Sequence, residues 1–169
     1  MMVCDHLSKE IEDIVNSVAN ILMKNNITLS IAESYTGGMV SSLLVHKPGI
    51  SRVFWGSIIA YSNNAKVKIL GVNPMSIERF GAVSEKVATE MAVGARKLGG
   101  TDVGLSTTGI AGPTGGSKLK PVGLGYIGVA MEDKVKVWKH RCTGDRKDII
   151  LNASLSALKY LKQSLEELE

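Results

Sequence analysis

Short apolar runs that end in small or glycine residues alternate along this sequence with segments whose apolar residues recur at helical spacing. That alternation restricts the chain to a sheet with helices laid on it, since each helix must bury one stripe and the sheet its faces. The first stripe is Leu7, Ile11, Ile14, Val15, Val18, Ile21 and Leu22, which predicts a helix capped by Asp5 or Ser8 and broken at Asn25-Asn26. Residues 27–32 then read as a strand, and Thr36-Gly37-Gly38 opens a second helix through Met39, Leu43 and Leu44 toward Pro48-Gly49. A strand over 53–61 is followed by a short helix over 63–70 that Gly71 ends. A further helix starts at Ser84-Glu85, buries Val87, Met91, Ala95 and Leu98, and stops at Gly99-Gly100.

The second half adds a strand over 102–108, the loop GIAGPTGGSKLKP, and an antiparallel hairpin of 122–131 with 135–142 around Glu132-Asp133. Asp145 caps a last helix with the stripe Leu151, Leu155, Leu158, Leu161 or Lys162, Leu165 and Leu168. The expected fold class is therefore α/β, a mixed sheet covered by helices on both faces. With 169 residues and no repeat or linker, residues 1–169 read as a single domain.

Composition excludes several function classes. At 44% hydrophobic and 21% charged the chain is globular rather than disordered, and no apolar run reaches the ~18–20 residues of a bilayer span. The acidic, amphipathic start MMVCDHLSKEIEDIV is unlike a secretory signal, so a soluble cytoplasmic protein is expected. Cys4 and Cys142 suit neither a disulfide framework nor a metal site, and His6, His46 and His140 are dispersed and read as surface residues. The net charge is +4, and residues 118–147 hold eight Lys/Arg against three acids. With only 5% aromatic residues and no recognition motif, that excess points to an anionic small ligand rather than to nucleic acid.

Four stretches carry polar and glycine residues just beyond a strand, where ligands of α/β proteins collect. In Ala32-Glu-Ser-Tyr-Thr-Gly-Gly38, Ser34 is placed as a nucleophile, and the helix start at Thr36, Gly37 and Gly38 leaves amide groups for an anion. A helix cap by Ser34 or Thr36 explains the same spacing. In Tyr61-Ser-Asn-Asn-Ala-Lys66, Lys66 can serve as the base a serine requires if its pKa is lowered; otherwise it is a surface lysine on a short helix. The loop Thr107-Thr-Gly-Ile-Ala-Gly-Pro-Thr-Gly-Gly116 matches no standard phosphate motif, yet its glycines allow close backbone approach to a ligand. Arg146, in the first turn of the last helix, opposes the helix dipole unless an anion bridges it to the backbone amides; its alternative is an exposed arginine in water.

Taken in order, AESYTGG, AYSNNAK, GAVSE, GIAGPTGG, KPVG and GDR closely resemble the CinA C-terminal domain family, from about Ile11 to Leu161. The resemblance implies a three-layer α/β/α sandwich that hydrolyses the carboxamide of nicotinamide mononucleotide to nicotinic acid mononucleotide and ammonia. It places the nucleophile at Ser34 and the base at Lys66, with Tyr61 assisting proton movement. Thr108, Gly109 and Arg146 would shape the pocket or hold the phosphate. It implies no cofactor and no metal, and Arg146 near Lys66 is expected to help depress the lysine pKa. The expected assembly is a homo-oligomer, dimer or higher.

Two departures stand out. Relatives often carry Cys where this chain has Tyr35, whose ring either narrows the pocket or points into the core. Many relatives also carry an N-terminal domain resembling molybdopterin-binding proteins, and an activity tied to it, such as ADP-ribose pyrophosphate cleavage, is not expected here. The alternatives to an amidase are a non-catalytic nucleotide-binding or competence-associated regulatory module and, with less support, a nucleic-acid-associated protein.

Overall fold

The computed structural model of the chain describes residues 2–168, with side chains described from residue 9 onward. Five strands form one sheet in the order β2-β1-β3-β4-β5: β1 (Leu29–Glu33), β2 (Phe54–Ile59), β3 (Val103–Gly109), β4 (Leu124–Ala130) and β5 (Val135–Arg141). β1 runs parallel to β2 and β3, while β4 is antiparallel to both β3 and β5. The sheet is mixed, as the alternation and the hairpin predict.

Helices cover both faces. On one lie α1 (Met2–Asn25), α2 (Met39–Leu44) and α6 (Arg146–Glu166), packing Val18, Leu22, Leu44, Leu158 and Leu161 onto Leu29, Ile31, Leu105 and Ile127. On the other lie α3 (Asn63–Leu70), α4 (Pro74–Phe80) and α5 (Glu85–Gly99), whose core joins Ala32, Ala60, Leu70, Val87, Met91 and Ala95. The period-2 alternation of β1 divides Leu29 and Ile31 from Ala32 in this way. α5 sits unusually close to the sheet: a Cβ at Gly104 would overlap the Ala92 carbonyl, and the Ser106 hydroxyl donates to the Ala88 carbonyl at 2.6 Å. Small residues at these positions are what lets the two layers approach.

Several boundaries differ from the sequence reading. α1 begins at Met2, so Asp5 and Ser8 lie inside it rather than at its cap, and the Leu7 side chain lies outside the described ones. Asn26, with φ 53°, ends it as expected. α4 was not anticipated, although Asn73 accepts from the Met75 N–H and Pro74 occupies the first turn, a helix-start signal present in the sequence. Leu98 is exposed, because the buried stripe of α5 runs through Ala88, Ala92 and Gly94 instead. In α6 Leu161 is the buried member while Lys162 pairs with Glu166, and Leu168 is exposed beyond the helix. Among the described residues no helix is long and apolar enough to cross a membrane.

Candidate active site

The C-terminal ends of the three parallel strands bring the site together: Ser34 follows β1, Tyr61 lies just beyond β2, and Thr108 and Gly109 end β3. Ser34 extends the β1–β3 pairing by one rung, its N–H donating to the Thr107 carbonyl at 3.0 Å. The chain then turns through Gly37 and Gly38, at φ 62° and 100°, a backbone conformation that a side chain would strain, and enters α2.

Lys66 reaches Ser34 from the fourth position of α3, a helix set by the Ser62 hydroxyl, which accepts from the Ala65 N–H. The Lys66 ammonium donates to Ser34 Oγ at 2.9 Å, to the Ala60 carbonyl at 2.8 Å and to the Tyr61 carbonyl at 3.1 Å. The side chain is 1% exposed and no carboxylate forms a described ion pair with it. Burial therefore pushes its pKa down, from 10.5 to about 8. Arg146 does not contribute as expected. Its Nη1 donates to the Gly112 carbonyl at 2.6 Å and its Nη2 to the Tyr61 hydroxyl at 3.0 Å. The guanidinium thus links the end of β2 to the glycine-rich loop, which neither sequence alternative for Arg146 anticipates.

A cleft of about 290 Å³ opens above Ser34 and Lys66, the low end of the range for small-molecule pockets. Ala82 and Val83 form one wall, the run Thr108–Gly112 another, and Tyr61 and Arg146 the mouth. Thr108 is buried and its hydroxyl donates to the Ala82 carbonyl at 2.8 Å, so it joins the two walls. Gly109 lines the cleft as well, and a Cβ there would come 2.5 Å from the Tyr35 ring.

Thr36, Gly37 and Gly38 do not line this cleft, and the free amides expected there are already taken. The carboxylate of Glu33, wholly buried, accepts from the N–H groups of Gly38 (2.9 Å), Val40 (3.1 Å) and Ser41 (2.9 Å), from the Thr36 hydroxyl (2.8 Å) and from the Ser41 hydroxyl. An internal carboxylate thus occupies the start of α2, where an anionic ligand was expected. At α6 the same happens: Asp145 accepts from the N–H groups of Lys147 and Asp148 at 2.7 and 3.0 Å in a capping box. The Asp145 cap is the one the sequence predicts, and both helix starts are closed for one physical reason. A protein carboxylate two to eight residues away saturates a helix start more readily than a ligand can.

Tyr35 points into the core and its ring also borders the cleft. It fills the space that side chains at Gly109 and Gly125 would occupy, and its hydroxyl meets His140 Nε2 at 2.7 Å. His140 is consequently half-buried rather than a freely exposed residue, and burial pushes its pKa down to about 4. Burial pushes the Tyr35 hydroxyl and the Cys142 thiol up.

Sequence reasoning missed two residues, Glu33 and Lys120. The Lys120 ammonium donates to the Phe80 carbonyl and, at 2.7 Å, to that of Val83, fastening the glycine-rich loop to the opposite wall. The acid shortly before a glycine-opened helix was a legible sign of the first; the second stands in the KPVG motif, which carried the resemblance without a role for its lysine. Among the described residues no cluster of three or more His, Cys, Asp or Glu side chains is arranged to hold a metal ion.

Comparison with known proteins shows the family and the fold. A family model described as the CinA C-terminal domain matches residues 11–165. A CinA-like protein of Kosmotoga olearia is 51% identical over 154 residues, which is 91% of this chain and 37% of that protein. The chain thus spans a little over a third of the length of the curated relatives it matches. Among solved structures, the competence/damage inducible protein of Agrobacterium tumefaciens is 34% identical with a TM-score of 0.88, covering 93% of this chain and 96% of its own. A CinA superfamily protein of Klebsiella pneumoniae is 27% identical with a TM-score of 0.89, over 93% and 98% of the two chains. On the match across residues 11–165 and on the shared fold, the chain belongs to the CinA C-terminal domain family.

Proposed function

We propose that this chain is a serine–lysine amidohydrolase acting on the carboxamide of nicotinamide mononucleotide. The observation that carries the reading is the 2.9 Å contact of a buried Lys66 Nζ with Ser34 Oγ, with no carboxylate partner among the described residues. A neutral amine has two N–H groups and one lone pair. With the N–H groups held by the carbonyls of Ala60 and Tyr61, the lone pair is aimed at the Ser34 hydroxyl.

In that state Lys66 takes the Ser34 proton as Oγ attacks the carboxamide carbon. The ammonium so formed gives the proton to the leaving nitrogen when the C–N bond breaks, releasing ammonia and leaving an acyl ester on Ser34. Water, deprotonated by the same amine, attacks the ester carbon; the C–Oγ bond breaks, the carboxylate product leaves, and Ser34 regains a proton. Tyr61 acts through its carbonyl on Lys66 and through its ring at the mouth. Arg146 uses two N–H groups on Gly112 and Tyr61, leaving three of its five for the substrate phosphate. The basic balance of the chain suits that anion. Such chemistry belongs to cytoplasmic salvage of pyridine nucleotides.

The test is ammonia release from nicotinamide mononucleotide by wild type and Ser34→Ala. Turnover lost in the variant, with its fold intact, is expected. Absence of turnover in folded wild type overturns the reading, and thermal stabilisation by the mononucleotide without turnover would replace it with a nucleotide-binding module.

A further inference from the structure

Tyr35 directly follows the proposed nucleophile and has no part in the reaction described above, yet the chain around it is shaped to receive its ring. Two strand positions are glycine where the ring lies. A Cβ at Gly109 on β3 would come 2.5 Å from it, and a Cβ at Gly125, the residue paired with Gly109 on β4, would overlap its hydroxyl. Glycine within a strand gives up packing and entropy, so two of them opposite each other mark the close approach of another group. That group is Tyr35.

The same residue lines the cleft. Gly109 forms part of the wall beside Ser34 and has no side chain of its own, so the bulk at that point comes from Tyr35. Next along this wall, Ala111 and Gly112 carry one side-chain carbon or none, and neither can fill the space of a missing ring. The ring is not free to swing aside. It is 4% exposed, packs with Ala111, Ile149 and Ala153, and its hydroxyl meets His140 Nε2 at 2.7 Å. His140 holds its other ring nitrogen 3.6 Å from Cys142 Sγ. Tyr35 is therefore a fixed wall. A cleft of about 290 Å³ that must also take a group reaching Arg146 at its mouth leaves little width beside Ser34.

We propose that Tyr35 determines specificity on the acyl side: by supplying the bulk that Gly109 lacks, it restricts the acyl group offered to Ser34 to the width of a single planar ring. The proposal rests on Ser34 being the nucleophile, and not on which amide it attacks.

Two probes of similar intrinsic reactivity and different width test it, benzenesulfonyl fluoride and naphthalene-2-sulfonyl fluoride. In each case Ser34 Oγ bonds to sulfur, the S–F bond breaks, fluoride leaves and the hydroxyl proton passes to Lys66. Mass spectrometry of the chain and its peptides counts and locates the adduct. The readout is the ratio of the two labelling rates at Ser34, which a general loosening of the fold leaves in place because both rates fall together. Wild type is expected to favour the one-ring probe by about tenfold or more. Tyr35→Ala is expected to bring the ratio near one, and Tyr35→Leu, which keeps apolar packing should the alanine variant not fold, to lower it in part. Tyr35→Phe is expected to retain it, because the ring remains. A ratio unchanged in folded Tyr35→Ala or Tyr35→Leu overturns the proposal, as does a wild type that takes both probes equally. Absence of any Ser34 adduct in folded wild type overturns the nucleophile and the proposal with it. The expected ratios without turnover of nicotinamide mononucleotide uphold the proposal and overturn only that choice of substrate.

Discussion

Lys66 Nζ stands 2.9 Å from Ser34 Oγ, and its other two hydrogen bonds end on main-chain carbonyls rather than on a carboxylate. This distinguishes it from a lysine in an ion pair, because no carboxylate among the described residues pairs with it and burial favours the neutral amine. In the proposed reaction the neutral amine is the active form. The rate kcat/KM is therefore expected to rise with pH through about 8 and then level off. A profile flat across that interval, measured on wild type, would disconnect Lys66 from the rate. Lys66→Met is expected to lose a factor of about 10²–10⁴.

The same group makes stability depend on pH, with a sign that follows from proton counting. The unfolded chain holds the Lys66 proton up to about 10.5, the folded chain only to about 8, so the unfolded state binds more protons between them. Stability gains as pH rises across that window, and below it the full penalty remains, on the order of 3 kcal/mol. Urea titrations of wild type and Lys66→Met should diverge in slope against pH over this range, the variant lacking the rise.

Glu33 is the anchor of the turn that presents Ser34. Glu33→Ala would leave the amides of Gly38, Val40 and Ser41 without their acceptor. A loss on the order of 3 kcal/mol in denaturant unfolding is expected, since buried donors are left unmade. Glu33→Gln, which turns one acceptor into a donor, should lose less. Equal stability of Glu33→Ala and wild type would mean that water replaces the carboxylate at no cost.

Tyr35 and Gly109 are coupled by volume. Gly109→Ala alone forces its Cβ to 2.5 Å from the ring and is expected to cost about 1–3 kcal/mol. In a Tyr35→Ala background most of that cost should vanish, because the ring that clashed is gone. A double-mutant cycle in thermal or urea unfolding measures the coupling, and strict additivity would show that the ring is not what excludes a side chain at 109.

Lys120 joins the glycine-rich loop to the wall formed by Ala82 and Val83 through the carbonyls of Phe80 and Val83. Lys120→Ala removes both contacts at once. The expected result is a KM raised several-fold with kcat changed far less, since in the proposed reaction the loop lines the cleft but supplies no reacting atom. A proportionate fall in kcat with KM unchanged would assign the loop to the chemical step instead.

Most of this architecture was legible because it is local. Stripes at helical spacing, glycine stops, the Asp145 cap and the uncharged strand over 53–61 each depend on residues a few positions apart, and α/β alternation follows from them. Ser34 and Lys66 lie in stretches that local spacing singles out, just beyond a strand or in the first turn of a helix, but that spacing left a helix cap and a surface lysine open, and their pairing as nucleophile and base came from the family resemblance. What the sequence could not determine are relations across many residues. That the Glu33 carboxylate turns back to close the start of α2 depends on side-chain direction. That the His140 pKa is lowered depends on Tyr35, 105 positions away, helping to bury it. That Lys66 has a lowered pKa depends on packing that buries its ammonium with no carboxylate of the described residues paired to it. Local spacing sets where a side chain starts; burial and partners, which set its charge and chemistry, exist only once the layers have closed.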